Sequence, residues 1–160
     1  QYETTNNIYS LWLAREIIQE PFVLIESDLI FTPLLLEEML LPDRIAISHI
    51  LPWMTGSTVT ISARTPHCVT ELHIKPNQNI DETNYKTVNI YSLSRQSWHH
   101  ITRRLDFYIS TGRVNAYYET VFAEMIADGS LDFECVFFDK ALWYEIDTLH
   151  DLRESARIFQ

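Results

Sequence analysis

Glycine is the residue whose scarcity most limits what this chain can form. Only three glycines, Gly56, Gly112 and Gly129, occur in 160 residues, well below the usual share of about 7%. They lie far apart, and none belongs to a glycine-rich loop of the kind whose backbone amides bind nucleotide phosphates. The sequence therefore excludes a self-sufficient triphosphate-binding loop within these residues.

The charge of the chain limits its partners. Its formal net charge is −10, from 12 basic and 22 acidic residues, whereas binding of duplex nucleic acid requires a basic face. Cys68 and Cys135 do not form a CxxC pair, so neither a thiolate zinc site nor a disulfide framework is indicated. No apolar run approaches the ~20 residues of a membrane span. We expect a cytoplasmic protein with no membrane span and no nucleic-acid partner.

Hydrophobic periodicity predicts one mixed α/β domain over residues 1–160. The predicted helices cover residues 7–19, 32–41, 95–109, 117–127 and 149–159, and the predicted strands cover 22–25, 44–50, 57–62, 69–74, 85–93, 133–138 and 143–146. The continuous apolar run at 22–25 is typical of a strand buried on both faces of a parallel sheet. Thr32 followed by Pro33 predicts the start of the second helix.

Two acidic segments follow predicted strands and form the strongest candidate site. Glu26 and Asp28 come directly after the first strand, and Asp147 comes directly after the last. Ligands of open α/β sheets bind where strands end, and converging carboxylates suit a hard divalent cation such as Mg²⁺. The alternative is that Asp28 begins a turn and Asp147 caps the final helix beside Thr148.

Two further features are candidates for substrate binding. Tyr117, Tyr118 and Glu119 place aromatic rings beside a carboxylate, an arrangement that suits an ammonium group, although helical spacing fits core packing of Tyr118 equally well. Lys86 lies within the strand predicted over 85–93. In an acidic chain this lysine is a candidate for a phosphate contact, and the alternative is an ordinary edge or surface lysine.

Taken in order, these segments resemble the nucleotidyltransferases that act on sugar phosphates and choline phosphate. The resemblance is strongest to the CTP-dependent cytidylyltransferases that act on phosphocholine or 2-aminoethylphosphonate. The matching segments are residues 5–11, 22–28, 84–91, 117–119, 143–148 and 151–152. The resemblance implies a Rossmann-like nucleotidyltransferase fold with a mixed central sheet flanked by helices.

The resemblance also implies a reaction, in which a phosphate or phosphonate oxygen of an acceptor attacks the α-phosphate of CTP and releases pyrophosphate. It implies Asp28 and Asp147 as catalytic residues that hold Mg²⁺, and Lys86 as a catalytic contact to the phosphoryl group of the acceptor. The other residues that it implies are Glu26, Asn89, Tyr117, Tyr118 and Glu119 around the acceptor, and Asn6, Asn7 and Ser10 on the nucleotide side.

One part of the family pattern has no match in these residues. The family begins with a strand and a glycine-rich loop that carries an arginine and a lysine for the triphosphate. The resemblance therefore implies that the chain corresponds to the C-terminal two thirds of the domain, and we expect little or no turnover from it alone.

The expected partners are CTP or another nucleoside triphosphate and a small phosphorylated amine, with self-association through an unpaired sheet edge a further possibility. Two alternatives stay open: a non-catalytic ligand-binding or assembly module derived from this fold, and a sugar-1-phosphate nucleotidyltransferase.

Overall fold

A long central strand organises the described part of the chain, which comprises residues 4–52, 54–65, 67–75, 83–139 and 143–159 of a computed structural model. The strands are β1 (Phe22–Ile25), β2 (Leu29–Phe31), β3 (Arg44–Ser48), β4 (Thr58–Ile61), β5 (Val69–His73), β6 (Asn84–Leu93), β7 (Glu134–Phe137) and β8 (Trp143–Glu145). The α-helices are α1 (Asn7–Ala14), α2 (Arg95–Ser110), α3 (Tyr118–Ala127) and α4 (Leu149–Ile158).

The main sheet is mixed and has the order β5-β4-β6-β3-β7, with β1 paired to the second half of β6. β3 and β7 are parallel, while β6 is antiparallel to β1, β3 and β4. β2 and β8 form a separate antiparallel pair. The predicted architecture of a mixed central sheet flanked by helices is confirmed.

The core lies on both faces of the main sheet. Alternation along β3 directs Ile45 and Ile47 toward the larger cluster, which contains apolar side chains of α1, α2 and α3, and Ala46 toward a smaller one. The smaller cluster also contains Met39 and Phe138. Among the described helices, none combines the length and the apolar character needed to cross a bilayer.

Local capping signals in the sequence account for several helix ends. The Ser94 side chain accepts a hydrogen bond from the backbone N–H of Ser97 at the start of α2. Thr148 and Asp151 form a capping box at the start of α4. α1 begins after its Asn6 cap as predicted, but it ends at Ala14 rather than at residue 19.

The prediction that residues 22–25 form a strand of a parallel sheet is wrong in the direction of pairing. β1 is antiparallel to β6, the one strand with which it pairs among the described residues. Phe22 and Leu24 pack on the larger core cluster and Val23 on the smaller one, so both faces do contact apolar side chains. A short apolar run predicts that a strand is buried on both faces, but it does not indicate whether the strand is parallel or antiparallel to its partner.

The prediction of one helix over residues 32–41 is also wrong. Two short 3₁₀ helices, Pro33–Leu36 and Glu38–Leu40, occupy this segment, and the side chain of Thr32 makes no capping hydrogen bond. Apolar residues occur on every side of this segment, so its sequence has no single face to bury along a continuous α-helix. The short turns bury Met39 and leave Leu34 and Leu40 exposed.

Candidate functional site

The pairing of β2 with β8 brings the two acidic segments together. Leu29 is opposite Glu145 in this pair, and the backbone N–H of Ile146 donates to the carbonyl of Asp28 at 2.8 Å. Segments far apart in the sequence thus lie side by side. β2 has no counterpart among the predicted strands, and the approach of the acidic segments depends on this three-residue strand.

Three carboxylates form a cluster at this point. Glu26, Asp28 and Glu145 each present an oxygen within 4.8 Å of the other two. Burial raises the pKa of Glu26 and of Glu145 above the ordinary glutamate value, and the charge of Asp28 raises both further. The Oδ1 atom of Asp28 is buried and has no hydrogen-bond partner among the described residues.

Lys86 is the basic residue of the cluster. It is 1% exposed, and its Nζ lies 3.2 Å from Oε2 of Glu145 and donates to the carbonyl of Thr87 at 2.9 Å. The alternative of an edge or surface lysine is wrong, because β6 is paired on both sides where Lys86 stands. A Cβ at Gly56, whose φ is +88°, would lie 3.3 Å from this Nζ, so a side chain there would be strained.

Asn89 connects two of the three carboxylates. Its Nδ2 donates to Oε2 of Glu26 at 2.9 Å and to Oε1 of Glu145 at 3.3 Å. Its Oδ1 accepts from the hydroxyl of Thr87 at 2.8 Å. The residue named as a substrate contact in the sequence analysis thus lies behind Glu26 and Glu145, in contact with both.

The chemistry of this donor set fits a divalent cation. Carboxylate oxygens are the preferred ligands of Mg²⁺ and Ca²⁺. Three carboxyl groups and one basic group, that of Lys86, meet here, so the acidic groups outnumber the basic one within the cluster. The unpartnered Oδ1 of Asp28 has a free lone pair at the same place. Glu26, Asp28 and Glu145 could together hold the metal.

Asp147 lies beside this cluster rather than within it. It is exposed, it is not one of the three residues of the carboxylate cluster, and it lines the adjoining cavity. Its charge contributes to the raised pKa of Glu145, after burial. The predicted role of Asp147 as a metal ligand stays a prediction, while Glu145, which that prediction omitted, has an oxygen in the cluster.

The predicted aromatic segment divides into a buried and an exposed part. Tyr118 is 3% exposed and packs against Tyr91 and Phe122, and its hydroxyl donates to Oε1 of Glu26 at 2.8 Å. Tyr117 is 49% exposed. Tyr118 is therefore a core residue that also contacts the carboxylate cluster.

Glu119 is a buried carboxyl group on α3. Its Oε2 accepts from Nδ2 of Asn7 at 3.3 Å. Burial raises the pKa of Glu119 to about 7, with a smaller contribution from the charge of Glu26. This group is the acidic member of the predicted aromatic segment, and it is close enough to the cluster to interact with Glu26.

The residues predicted on the nucleotide side have structural contacts. Oδ1 of Asn6 accepts from the backbone N–H of Asn7 and caps α1. Oδ1 of Asn7 accepts from the backbone N–H of Tyr118 at 2.9 Å, which fixes the start of α3. Ser10 is exposed on α1. A role of these three residues in nucleotide binding stays a prediction.

A cavity of about 660 Å³ adjoins the cluster, within the range of small-molecule sites. Its walls include Leu51, Trp143, Tyr144, Glu145, Asp147 and the pair His49 and Asp139. Nδ1 of His49 lies 2.8 Å from Oδ2 of Asp139. This pair is not predictable from the sequence, because the two residues follow different strands and no motif spacing links them.

No protein-family model matches the chain. A curated relative, the CMP-5'-(3-aminopropyl)phosphonate synthase of Streptomyces rubellomurinus, is 24% identical over 161 residues, which are 95% of this chain and 25% of that protein. The chain thus spans about a quarter of the length of the curated relative that it matches.

Solved nucleotidyltransferase structures share the fold. The chain superposes on the CTP:phosphocholine cytidylyltransferase of Streptococcus pneumoniae with a TM-score of 0.79 and 17% identity, covering 99% of this chain and 66% of that one. It superposes on the inositol-1-phosphate CTP transferase of T. maritima with a TM-score of 0.71 and 18% identity, covering 98% and 62%. A UDP-glucose pyrophosphorylase gives a TM-score of 0.72 at 13% identity, covering 98% and 62%. The chain has the mixed α/β fold of these nucleotidyltransferases.

Proposed function

We propose that the protein is a Mg²⁺-dependent nucleotidyltransferase that transfers CMP from CTP to a small acceptor bearing an amine and a phosphate or phosphonate. A phosphate or phosphonate oxygen of the acceptor attacks the α-phosphorus of CTP, and the bond to the leaving pyrophosphate breaks. The observation that carries the proposal is the cluster of Glu26, Asp28 and Glu145, with its unpartnered Asp28 oxygen, on a nucleotidyltransferase fold.

The carboxylates and the lysine of the cluster have different roles in the proposed reaction. Glu26, Asp28 and Glu145 would hold the metal, which when bound supplies charge neutralisation between two anionic reactants. Lys86 contacts Glu145 and is a cation of the cluster to which an acceptor phosphoryl group would be drawn. Asp147 borders the site as a further carboxylate.

The adjoining cavity supports an acceptor with a positively charged nitrogen. Trp143 and Tyr144 line it together with the carboxylates of Asp147 and Asp139. Aromatic faces and carboxylates are the groups that attract an ammonium ion. The names of the curated relative and of the pneumococcal enzyme both specify a cytidine nucleotide reaction with a phosphorus compound that carries nitrogen. The exposed ring of Tyr117 is a further candidate contact for the nitrogen.

Pyrophosphate release by the full-length protein tests this proposal. The protein is assayed with CTP and Mg²⁺ and, in separate reactions, 3-aminopropylphosphonate, phosphocholine and glucose 1-phosphate. We expect release with an aminated acceptor and a loss on the order of 10²-fold in Asp28→Asn, because a misplaced reacting group costs about that much. Asp132→Asn, an exposed acid, is the matched control and should retain the wild-type rate.

The other outcomes separate the alternatives. Turnover with glucose 1-phosphate alone would identify a sugar-1-phosphate nucleotidyltransferase. Acceptor binding by calorimetry without turnover on any acceptor would identify a non-catalytic ligand-binding module. A rate in Asp28→Asn equal to that in Asp132→Asn would contradict the assignment of the site.

A further inference from the structure

Asn89 has an unusual backbone conformation in the middle of the longest strand. Its φ is +58°, in the left-handed region that residues other than glycine rarely adopt. The pairing of β3 with β6 is irregular here, since Ile45 is opposite Tyr91 but Ile47 is opposite Thr87, which leaves additional residues of β6 in a bulge. Left-handed residues within a bulge mark positions where a side chain is redirected.

The redirected side chain reaches two carboxylates that come from different parts of the chain. Nδ2 of Asn89 donates to Glu26, just beyond β1, and to Glu145, at the end of β8. The orientation of the amide follows from charge, because the opposite orientation would place its carbonyl oxygen against two carboxylates. The hydroxyl of Thr87 contacts the other end of the amide, at Oδ1.

The hydrogen bonds around the cluster follow a pattern. Glu26 accepts from Tyr118 at Oε1 and from Asn89 at Oε2. Glu145 accepts from Asn89 at Oε1 and contacts Lys86 at Oε2. Each glutamate oxygen thus has one partner behind it and retains acceptor capacity, while Oδ1 of Asp28 has no partner among the described residues. This is the arrangement in which outer groups orient metal ligands.

We propose that Asn89 is a positioning residue that holds Glu26 and Glu145 at the spacing required for a divalent cation. The inference rests on the metal site of the proposed function and is independent of the identity of the acceptor. Asn89 itself is not a ligand in this account. Its left-handed backbone is retained because a regular strand would direct the amide away from the two carboxylates.

Mn²⁺ binding to the full-length protein without nucleotide tests the proposal, measured by the loss of the free Mn²⁺ signal in electron paramagnetic resonance. Mn²⁺ prefers the same oxygen ligands as Mg²⁺. We expect Asn89→Gly to weaken binding by about 10- to 100-fold, the usual effect of removing a group that orients a ligand. Glycine adopts φ near +58° without steric cost, so this variant removes the amide and leaves the backbone conformation available. The same substitution at exposed Asn115 is the control.

A second variant tests the path through Thr87 without touching a carboxylate. Thr87→Val removes the hydroxyl that contacts Oδ1 of Asn89, and we expect a weakening of a few-fold in the wild-type background. In the Asn89→Gly background the same change should have no further effect on Mn²⁺ affinity, since the amide that it orients is gone. Additive effects of the two changes would contradict the positioning of the carboxylates by Thr87 through the amide of Asn89.

The failure of this inference differs from the failure of the proposed function. Wild-type Mn²⁺ affinity in Asn89→Gly, together with lost binding in Asp28→Asn, would overturn the role of Asn89 and leave the metal site standing. Unchanged affinity in both variants would overturn the metal site and this inference with it.

Discussion

Carboxylates at two places in this molecule are held in opposite ways. Asp128 and Asp151, at helix ends, accept from neighbours two or three residues away, Ser130 and Thr148, and these hydrogen bonds lower the pKa of both carboxyl groups. Glu26 and Glu145 meet across the fold, and burial raises the pKa of both. Local hydrogen bonds stabilise the ionised form of the first pair, whereas desolvation destabilises the ionised form of the second pair. A cluster of the second kind is the one that a bound cation would stabilise.

Removal of the buried ammonium should have the largest effect on stability. Lys86→Met leaves the carboxylate of Glu145 buried without its cation, and we expect the free energy of unfolding to fall by about 3 kcal/mol at pH 8. The loss should be smaller at an acidic pH, because burial raises the pKa of Glu145 and its protonated carboxyl group needs no cation. Urea denaturation at the two pH values measures both effects.

The exposed pair of Arg157 and Glu154 provides the matched control for this change. Nζ of Lys86 and Nη1 of Arg157 both contact a glutamate, but the side chain of Arg157 is 72% exposed and that of Lys86 is 2% exposed. Arg157→Met should therefore cost no more than about 0.5 kcal/mol. An equal loss in the two variants would show that burial of the Lys86 pair has no energetic consequence.

A smaller effect is expected at Glu119 and depends on pH. Burial raises the pKa of Glu119 to about 7 in the folded protein, so its contribution is most favourable at low pH and declines as pH rises through 7. Glu119→Gln should be more stable than the wild type at pH 8, by about 2 kcal/mol, and nearly equal to it at pH 4. Denaturation curves across this range measure the difference.

Asp128 should show the opposite dependence of stability on pH. Hydrogen bonds from Ser130 and Arg104 lower the pKa of Asp128, so its contribution is present at neutral pH and is lost as pH falls below the ordinary aspartate value. Asp128→Asn should therefore be less stable than the wild type at pH 7, with the difference vanishing in acid. The same sign of slope in Glu119→Gln and Asp128→Asn would contradict the distinction between a carboxyl group whose pKa is raised by burial and one whose pKa is lowered by hydrogen bonds.

Much of the fold could be predicted from the sequence because its signals are local. The caps of α2 and α4, Ser94 and Thr148, lie directly before their helices, and β6 follows from ten residues rich in strand formers. β2 could not be predicted, because a three-residue strand has no periodicity of its own and its partner β8 is remote in sequence. The direction of β1 was unpredictable for the same reason.

The site was predictable in its residue types and less so in its geometry. Asp28, Lys86 and the segment that contains Glu145 and Asp147 are predictable from their places in or after predicted strands, and the resemblance to a known family implies roles for Asp28, Asp147 and Lys86. Which of these two carboxylates joins Glu26 and Asp28 depends on the register of β2 with β8. The left-handed conformation of Asn89 likewise arises from strand pairing and has no local signature.

The metal site itself can be observed in a crystal structure of the full-length protein soaked in Mn²⁺, with anomalous diffraction data. We expect an anomalous peak between Glu26, Asp28 and Glu145, about 2 Å from Oδ1 of Asp28, as for a hard divalent cation with oxygen ligands. A protein that binds Mn²⁺ elsewhere, such as between His49 and Asp139, with no peak at the cluster, would contradict it.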